Sequence, residues 1–233
     1  YDYNNKRGVK DINIYEISNV YDKDYKETQL LSILMSGNYI DYSFDGVGVK
    51  NNFYVIKGVV ENILNYLGYD KRYRFVPLKD KKEMHPGMSA SIYIDNDLIG
   101  YIGKLSPVVS KDDIYVCEIN LSVVYDKKSK KIKYPEISKY PEITKDVAFI
   151  LDKNVLSSDV EKEIRKNGNK ILSSVKVFDL YVGDKIDENK KSVGYSLTFQ
   201  DVNRTLTDEE VDSVFKTIID KVSSKFKCEI RDK

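Results

Sequence analysis

Apolar and polar residues alternate most regularly in the last third of the chain. In the range Val193–Phe199 they change at every position, which predicts a strand with one buried face. The run VKVFDLYVG at 175–183 predicts a second strand, joined to the first by a polar turn. From Thr207 onward the apolar residues recur every three or four positions, and Thr207 with Glu210 has the spacing of a capping box. This stretch therefore predicts a hairpin followed by a helix.

Similar patterns on either side extend the hairpin and helix to a β-α-β-β-α-β order. DVAFIL at 146–151 alternates like a strand, and KCEIR at 227–231 predicts a last short strand. Before the hairpin, a capping box at Ser158 and Glu161 and a closing Gly168 predict another helix. The order is the ferredoxin-like arrangement. Two helices then cover one face of a four-stranded sheet, and the other face stays open.

The first half of the chain predicts mainly strands and one long helix. The helix covers Phe53–Gly68, with apolar residues at spacings of three and four and a glycine at the expected C-terminal cap. The predicted strands are 12–21, 30–37, 73–78, a hairpin within 85–107, and 115–124. The opening residues YDYNNKRG have no predicted partner in the chain. The whole chain is therefore expected to be α+β, with antiparallel sheets.

Residues 126–140 predict a linker between two domains, at 1–134 and 138–232. The linker carries a basic cluster and two prolines, which are Lys127, Lys128, Lys130, Lys131, Lys133, Pro135 and Pro141. The favoured interpretation of the cluster is a solvated loop. The alternative is a contact with RNA phosphates.

Composition narrows the class of protein. The chain has 233 residues, of which 41% are hydrophobic and 32% charged, and it contains no apolar run long enough to span a membrane. Because the chain has 38 basic and 37 acidic residues, its composition argues against a protein that binds phosphate backbones over its whole surface, and RNA binding would need a small local site. Cys117 and Cys228 match no metal spacing, and the opening residues do not resemble a signal peptide. A reduced, cytoplasmic setting is expected.

Candidate catalytic chemistry is sparse. His85 is the single histidine, and its place in His-Pro-Gly indicates a turn rather than a general base or a metal ligand. The sequence contains no P-loop, no dinucleotide fingerprint and no nucleophile elbow. The acidic run Asp208–Glu210 is explained by the start of a helix, where carboxylates complement the macrodipole. We therefore predict no catalytic, cofactor or metal site in this chain.

Asp179 and Tyr181 are the exception. Simple alternation places them on one face of their strand together with Val177, and places Phe178 and Leu180 on the other face. A tyrosine ring can stack on a nucleic-acid base, and a carboxylate can accept hydrogen bonds from the edge of a guanine. The alternative is an ordinary edge tyrosine beside a solvated aspartate.

Four segments, in this order and at this spacing, resemble the C-terminal anticodon-binding domain of the bacterial phenylalanine–tRNA ligase β subunit. They are PEITKDVAF (141–149), FDLYVG (178–183), KKS (190–192) and RTLTDEE (204–210). The first half resembles the module that precedes this domain in the family, through NIYEISNVY (13–21), GVKNNFYVIKGVVENILNYLG (48–68) and MHPGMSASIYIDNDLIGYIGKLSP (84–107). That module is built like a class II synthetase catalytic domain without its catalytic residues. The chain then corresponds to a C-terminal fragment that begins inside this module.

The resemblance also implies a function. The family's enzyme uses ATP and magnesium to charge tRNA(Phe) with phenylalanine, in a cytoplasmic α2β2 assembly whose catalytic site lies on the α subunit. The magnesium-binding residues and the editing domain of β lie upstream of the matching region. The first domain is expected to help pack against α. The fragment alone is expected to be non-catalytic and to need no cofactor of its own.

The resemblance assigns roles to five residues. Asp179, Tyr181 and Ser192 match residues that contact the first anticodon base, a guanine. Ala148 matches a small residue beside that base, and Arg231 matches a basic residue near the anticodon. Together they predict a tRNA anticodon-binding site on the open face of the sheet.

Two other functions remain as alternatives. A non-synthetase RNA-binding module on the same sheet would carry aromatic pairs on its two central strands and a basic surface. A purely structural interaction domain would bind no RNA. Arg204 is equally ambiguous, since it is suited either to a phosphate contact or to a hydrogen bond that stabilises a turn.

Overall fold

The computed structural model describes residues 1–44, 46–129, 138–183 and 186–231. These residues form two compact units, one up to residue 129 and one from residue 138. The predicted linker residues Lys130, Lys131, Lys133 and Pro135 lie outside the described residues. No helix in the described ranges is long and apolar enough to cross a membrane.

The described part of the first unit is built on an antiparallel sheet of six strands, in the order β1-β2-β8-β7-β6-β5. Its elements are α1 (Asp2–Asn5), β1 (Ile12–Tyr21), β2 (Glu27–Ser36), β3 (Asn38–Ile40), β4 (Val49–Lys50), α2 (Phe53–Tyr66), β5 (Tyr73–Pro77), β6 (Met84–Ile94), β7 (Asp97–Leu105), β8 (Ile114–Asn120) and α3 (Leu121–Tyr125). The predicted helix and the predicted order of strands are confirmed. Helix α2 packs on the sheet through Ile56, Val60 and Leu64, which are fully buried.

Two predictions for this unit are wrong. The strand expected at 115–124 ends at Asn120, because the Asn120 side chain accepts a hydrogen bond from the Val123 backbone N–H and so caps α3. The opening residues were expected to have no partner, but they form α1, and the Tyr1 hydroxyl donates to the Asp112 carboxylate at 2.9 Å.

The second unit has the predicted β-α-β-β-α-β order, and its described residues form a four-stranded antiparallel sheet. Its elements are β9 (Ile143–Asp152), α4 (Ser157–Asn167), β10 (Leu172–Tyr181), β11 (Lys190–Phe199), α5 (Asp208–Phe226) and β12 (Glu229–Ile230). The strands lie in the order β10-β11-β9-β12. One face packs against the two helices through fully buried side chains, among them Phe149, Tyr195, Phe199, Ile164 and Ile218. This confirms the ferredoxin-like fold and its open opposite face.

The start of α4 differs from the prediction. The N-cap residue is Leu156, which makes no side-chain capping bond, so the capping box predicted at Ser158 and Glu161 is wrong. The hydroxyl of Ser157 lies 2.9 Å from the hydroxyl of Tyr195, a buried residue of β11. A contact with the core therefore fixes this helix start, and a local capping motif does not.

The start of α5 confirms its capping box. The Thr207 hydroxyl accepts from the Glu210 backbone N–H at 3.3 Å, and the Glu210 carboxylate accepts from the Thr207 backbone N–H at 3.2 Å. Arg204 adds two hydrogen bonds to the same carboxylate, at 2.7 and 2.9 Å. This geometry favours the turn-stabilising interpretation of Arg204 over a phosphate contact.

Candidate nucleic-acid interface

Strand β10 pairs irregularly with β11 at two places, and the extra residue at the second, Phe178, decides which way Asp179 and Tyr181 face. Val177 lies opposite the buried Tyr195, whereas Asp179 lies opposite Gly194 on the open face. The expectation that Asp179 shares a face with Val177 is therefore wrong, because Phe178 is inserted between the two registers. If Phe178 were instead paired in regular alternation, Asp179 would point towards the helices.

Phe178 also faces the opposite way from its prediction. Its ring lies 3.0 Å from the point where a Cβ on Gly194 would be, so it belongs to the open face rather than the helix-covered one. The side chain is 59% exposed. An aromatic surface thus lies directly beside Asp179.

The sheet register brings the predicted residues together in two neighbouring rows. In the first row, Tyr181 lies opposite Ser192. In the second row, Asp179 lies opposite Gly194, which lies opposite Ala148. The backbone N–H of Arg231 donates to the Ala148 carbonyl at 2.9 Å and so adds Arg231 to the second row. We call the resulting surface the open-face patch, and its residues are Ala148, Asp179, Tyr181, Ser192, Gly194 and Arg231.

Ser192 is the most unusual member of the open-face patch. It is 0% exposed, and its hydroxyl has no hydrogen-bond partner among the described residues. Buried hydroxyls are nearly always paired, since leaving one unpaired is energetically unfavourable. The Ser192 hydroxyl, opposite Tyr181, therefore keeps an unused donor and acceptor.

Tyr181 and Asp179 provide the two kinds of contact that a base requires. The Arg231 guanidinium lies over the Tyr181 ring, with its central carbon 5.0 Å from the ring centroid. The Asp179 carboxylate is exposed and makes no hydrogen bond or ion pair with another described residue. The open-face patch therefore places an aromatic ring, with the guanidinium over it, beside a free acceptor.

A cavity of about 450 Å³ adjoins the open-face patch where the short strand β12 ends. Its lining is mainly apolar and includes Ala148, Phe178, Phe215 and Ile230, with the Arg231 side chain at its margin. Ala148 and Arg231 belong both to this lining and to the open-face patch, so the cavity borders the patch. The surface is thus concave on the β9 side.

Comparisons with known proteins agree with this architecture. Residues 138–231 match the family model described as the ferredoxin-fold anticodon binding domain, and residues 1–121 match the phenylalanyl tRNA synthetase beta chain CLM domain. The chain belongs to the phenylalanine–tRNA ligase β-subunit family. It is 34% identical over 238 aligned residues to the phenylalanine–tRNA ligase β subunit of Listeria monocytogenes. It is 33% identical to that of Oceanobacillus iheyensis and 31% identical to that of Geobacillus kaustophilus.

The aligned region covers 98% of this chain but only 29–30% of the length of these β subunits. The chain thus corresponds to less than a third of the phenylalanine–tRNA ligase β subunits it matches. Both family domains found in this region are present here, in the order the resemblance implied.

The central strands distinguish this β-subunit domain from a common RNA-binding module. On the open face, β11 presents Ser192, Gly194 and Ser196, and β9 presents Ala148 and Ile150. None of these positions carries the aromatic side chains that an RRM-like module uses to stack bases. The aromatic residues of the open face lie instead on β10, which is the outer strand.

The remaining candidates from the sequence have structural roles. His85 accepts a hydrogen bond at Nδ1 from the Gly87 backbone N–H at 3.1 Å, which shapes the entry to the hairpin. Lys127 pairs with Asp97, which favours the solvated-loop interpretation for this member of the basic cluster. No group of three or more His, Cys, Asp and Glu suited to a metal ion occurs among the described residues.

Sequence reasoning missed two residues at the candidate site. Gly194 was noted only as part of the alternation, although a glycine inside a strand is a signal for close approach of another group. Phe178 was placed on the wrong face because a bulge depends on the pairing between strands and not on the strand itself.

Proposed function

We propose that this chain works as the C-terminal part of the β subunit of phenylalanine–tRNA ligase. Its second domain, at 138–232, binds the anticodon of tRNA(Phe), and its first domain, at 1–134, packs on the α subunit of a cytoplasmic α2β2 enzyme. The α subunit carries out the ATP-dependent charging with phenylalanine. The ATP and magnesium of that reaction bind outside this chain, which has no catalytic role of its own.

The observation that carries this proposal is the register of β10 and β11. Tyr181 lies directly opposite Ser192, and Asp179 lies opposite the adjacent Gly194, all on the open face of the sheet. A flat surface, a carboxylate and a hydroxyl therefore converge within two neighbouring rows. This combination is suited to one unpaired base rather than to a duplex or a phosphate backbone.

Each residue of the open-face patch has a distinct role in this proposal. The Tyr181 ring stacks on the first anticodon base. The Asp179 carboxylate accepts hydrogen bonds from the base edge, and the Ser192 hydroxyl donates to or accepts from it. Ala148 and Gly194 leave space for the base because their side chains are small or absent. Arg231 supplies positive charge at the margin.

The carboxylate of Asp179 explains a preference for guanine. The pairing edge of guanine presents an imino N–H and an amino group, which are both donors. Adenine presents an acceptor at the matching ring nitrogen. A carboxylate accepts hydrogen bonds only, so it favours guanine and is repelled by the adenine ring nitrogen.

The test is the binding of anticodon stem-loops to the assembled enzyme, with guanine, inosine or adenine at the first anticodon position. Inosine keeps the imino N–H of guanine but lacks its amino group. The wild type is expected to prefer guanine over inosine and inosine over adenine. Asp179→Ala should reduce the differences in affinity among the three bases. Tyr181→Ala should instead weaken the binding of all three stem-loops by roughly 1–3 kcal/mol, because it removes the stacking surface.

Two matched variants control for charge and for position. Asp146→Asn removes a carboxylate from the same sheet face, opposite Ser196 and one row away, and should leave the order of bases unchanged. Leu180→Ala alters a half-exposed residue of the same strand on its other face and should leave binding unchanged. Wild-type affinity in Tyr181→Ala, or an unchanged order of bases in Asp179→Ala, would contradict the proposal.

A further inference from the structure

Arg231 has a position in the open-face patch that its charge alone does not explain. The residue follows β12, and its backbone N–H is fixed to the Ala148 carbonyl at 2.9 Å. From there the side chain reaches over the sheet to Tyr181, which is on the opposite edge strand, and its central carbon lies 5.0 Å from the ring centroid. In this structure the arginine therefore covers the surface on which a base would stack.

The buried hydroxyl of Ser192 points to the same closed arrangement. Ser192 belongs to the open face, yet it is 0% exposed and its hydroxyl has no partner among the described residues. Its neighbour across the β10–β11 pairing is Tyr181, the residue that Arg231 covers. A base cannot reach this hydroxyl until the side chains around it move.

The distance between the ring and the guanidinium is too short to admit a base. Optimal contact between stacked atoms requires about 3.5 Å on each side, so a base between the two groups needs about 7 Å. The present 5.0 Å must therefore increase by about 2 Å. Arg231 follows the last strand and is exposed, so its side chain can move while its backbone bond to Ala148 is kept.

We propose that Arg231 closes the base site in the free protein and stacks on the outer face of the base in the complex. This inference rests on the proposed function, since it assigns a movement to the same site. The planar, weakly hydrated guanidinium is suited to both positions, because it stacks on a tyrosine ring and on a nucleic-acid base alike. The base then lies between Tyr181 and Arg231, and the Ser192 hydroxyl gains a partner.

The association and dissociation rates of the stem-loop test this proposal. An arginine that covers the base site slows association, whereas an arginine that attracts RNA phosphates speeds it. Arg231→Ala in the assembled enzyme removes the group that covers Tyr181, so association of a guanine stem-loop should become faster. It also removes one stacking surface, so dissociation should become faster by about 5- to 160-fold, and the affinity should fall. An arginine that only attracts phosphates would instead slow association and change dissociation little.

Two further variants separate the effect of the planar guanidinium group on binding from the effect of its positive charge. Arg231→Lys keeps the positive charge but lacks the planar guanidinium group. The stem-loop should therefore dissociate from Arg231→Lys nearly as fast as from Arg231→Ala. Lys176→Ala removes an exposed basic residue from the open face of β10, opposite Ser196, and should only slow association. The salt dependence of binding should decrease by a similar amount in Lys176→Ala and in Arg231→Ala.

The possible outcomes separate this inference from the proposed function. If Tyr181→Ala and Asp179→Ala bind like the wild type, the anticodon site itself is wrong. A second outcome is that those two variants lose binding while Arg231→Ala associates more slowly and dissociates at the wild-type rate. This outcome would support the anticodon site and overturn the closing role of Arg231. Wild-type dissociation in Arg231→Lys would likewise overturn the stacking role, because a charge would then be sufficient.

Discussion

The hydroxyl of Tyr195, in the middle of β11, lies 2.9 Å from the hydroxyl of Ser157, the first residue of α4. The tyrosine is fully buried, and burial raises its pKa to about 12. This hydrogen bond joins the helix layer to the central strand of the sheet. It also satisfies a polar group that would otherwise be unpaired in the core.

Tyr195→Phe should destabilise the second domain by about 1 kcal/mol at neutral pH, since one buried hydrogen bond is lost. The wild type should also lose stability as the pH rises above about 10, because the unfolded tyrosine ionises there while the folded one resists ionisation up to about 12. Tyr195→Phe should lack the part of the stability loss at alkaline pH that the ionisation of Tyr195 causes. Urea unfolding between pH 7 and pH 11 measures both effects, and parallel pH profiles for the two proteins would contradict the prediction.

Ser192→Ala should affect stability and binding in opposite directions. The variant removes a buried hydroxyl that has no partner among the described residues, so the free energy of unfolding should rise by about 1 kcal/mol. The affinity for a guanine stem-loop should fall, because the hydroxyl contributes to the proposed base site. Ser196→Ala, on the same strand face but less buried, is the matched control and should change neither quantity by as much. A loss of stability in Ser192→Ala would indicate a structural hydrogen bond instead.

Gly194→Ala should reduce binding of the first anticodon base with little effect on the fold. The added Cβ would lie 3.0 Å from the Phe178 ring and 3.1 Å from the Asp179 Cβ, so both side chains must shift. Replacing a strand glycine also restricts the unfolded chain, which offsets part of the strain. We expect a change in stability below about 1 kcal/mol and a clear loss of preference for guanine.

Gly58→Ala is the control for this substitution. Gly58 lies inside α2, and no heavy atom beyond its own helix lies within 4 Å of the added Cβ. This variant should stabilise the first domain by about 1 kcal/mol because alanine favours helices, and it should leave RNA binding unchanged. Unaltered base preference in Gly194→Ala would mean that the space above the glycine is not used.

The Arg204–Glu210 pair should make the second domain sensitive to acid. Hydrogen bonds from Arg204, together with the Thr207 backbone N–H, lower the pKa of Glu210 to about 2. Because the folded pKa lies below that of the unfolded chain, the contribution is present above pH ~4.5 and is lost as the pH falls towards 2. Glu210→Gln should therefore be less stable than the wild type at pH 6 and converge with it near pH 2. Urea midpoints across this range provide the measurement.

Local sequence patterns were sufficient for much of this fold. The alternation in Val193–Phe199 identifies the buried face of β11, since every second residue of a strand meets the same layer. The capping box at Thr207 identifies the start of α5, because its hydrogen bonds connect residues three positions apart. The family resemblance supplied the order of the two domains.

Features that depend on distant contacts were not predictable in this way. The start of α4 depends on Tyr195, which is 38 positions from Ser157 in the chain. The bulge at Phe178 depends on the register of β11, and the position of Arg231 over Tyr181 depends on the order of strands across the whole sheet. The strand pattern pointed to Asp179 and Tyr181, and the family resemblance added Ser192, Ala148 and Arg231, but neither gave the geometry that joins them.

The extra residue in β10 makes the open-face patch tolerant of a one-residue change in strand length. Deleting Phe178 would let β10 pair regularly, with Val177 still opposite Tyr195 and Asp179 still opposite Gly194. The carboxylate and the tyrosine would keep their face, and only the aromatic ring beside Asp179 would be lost. Two members of the family that differ by a one-residue gap between Val177 and Asp179 could therefore present the same polar residues to a ligand.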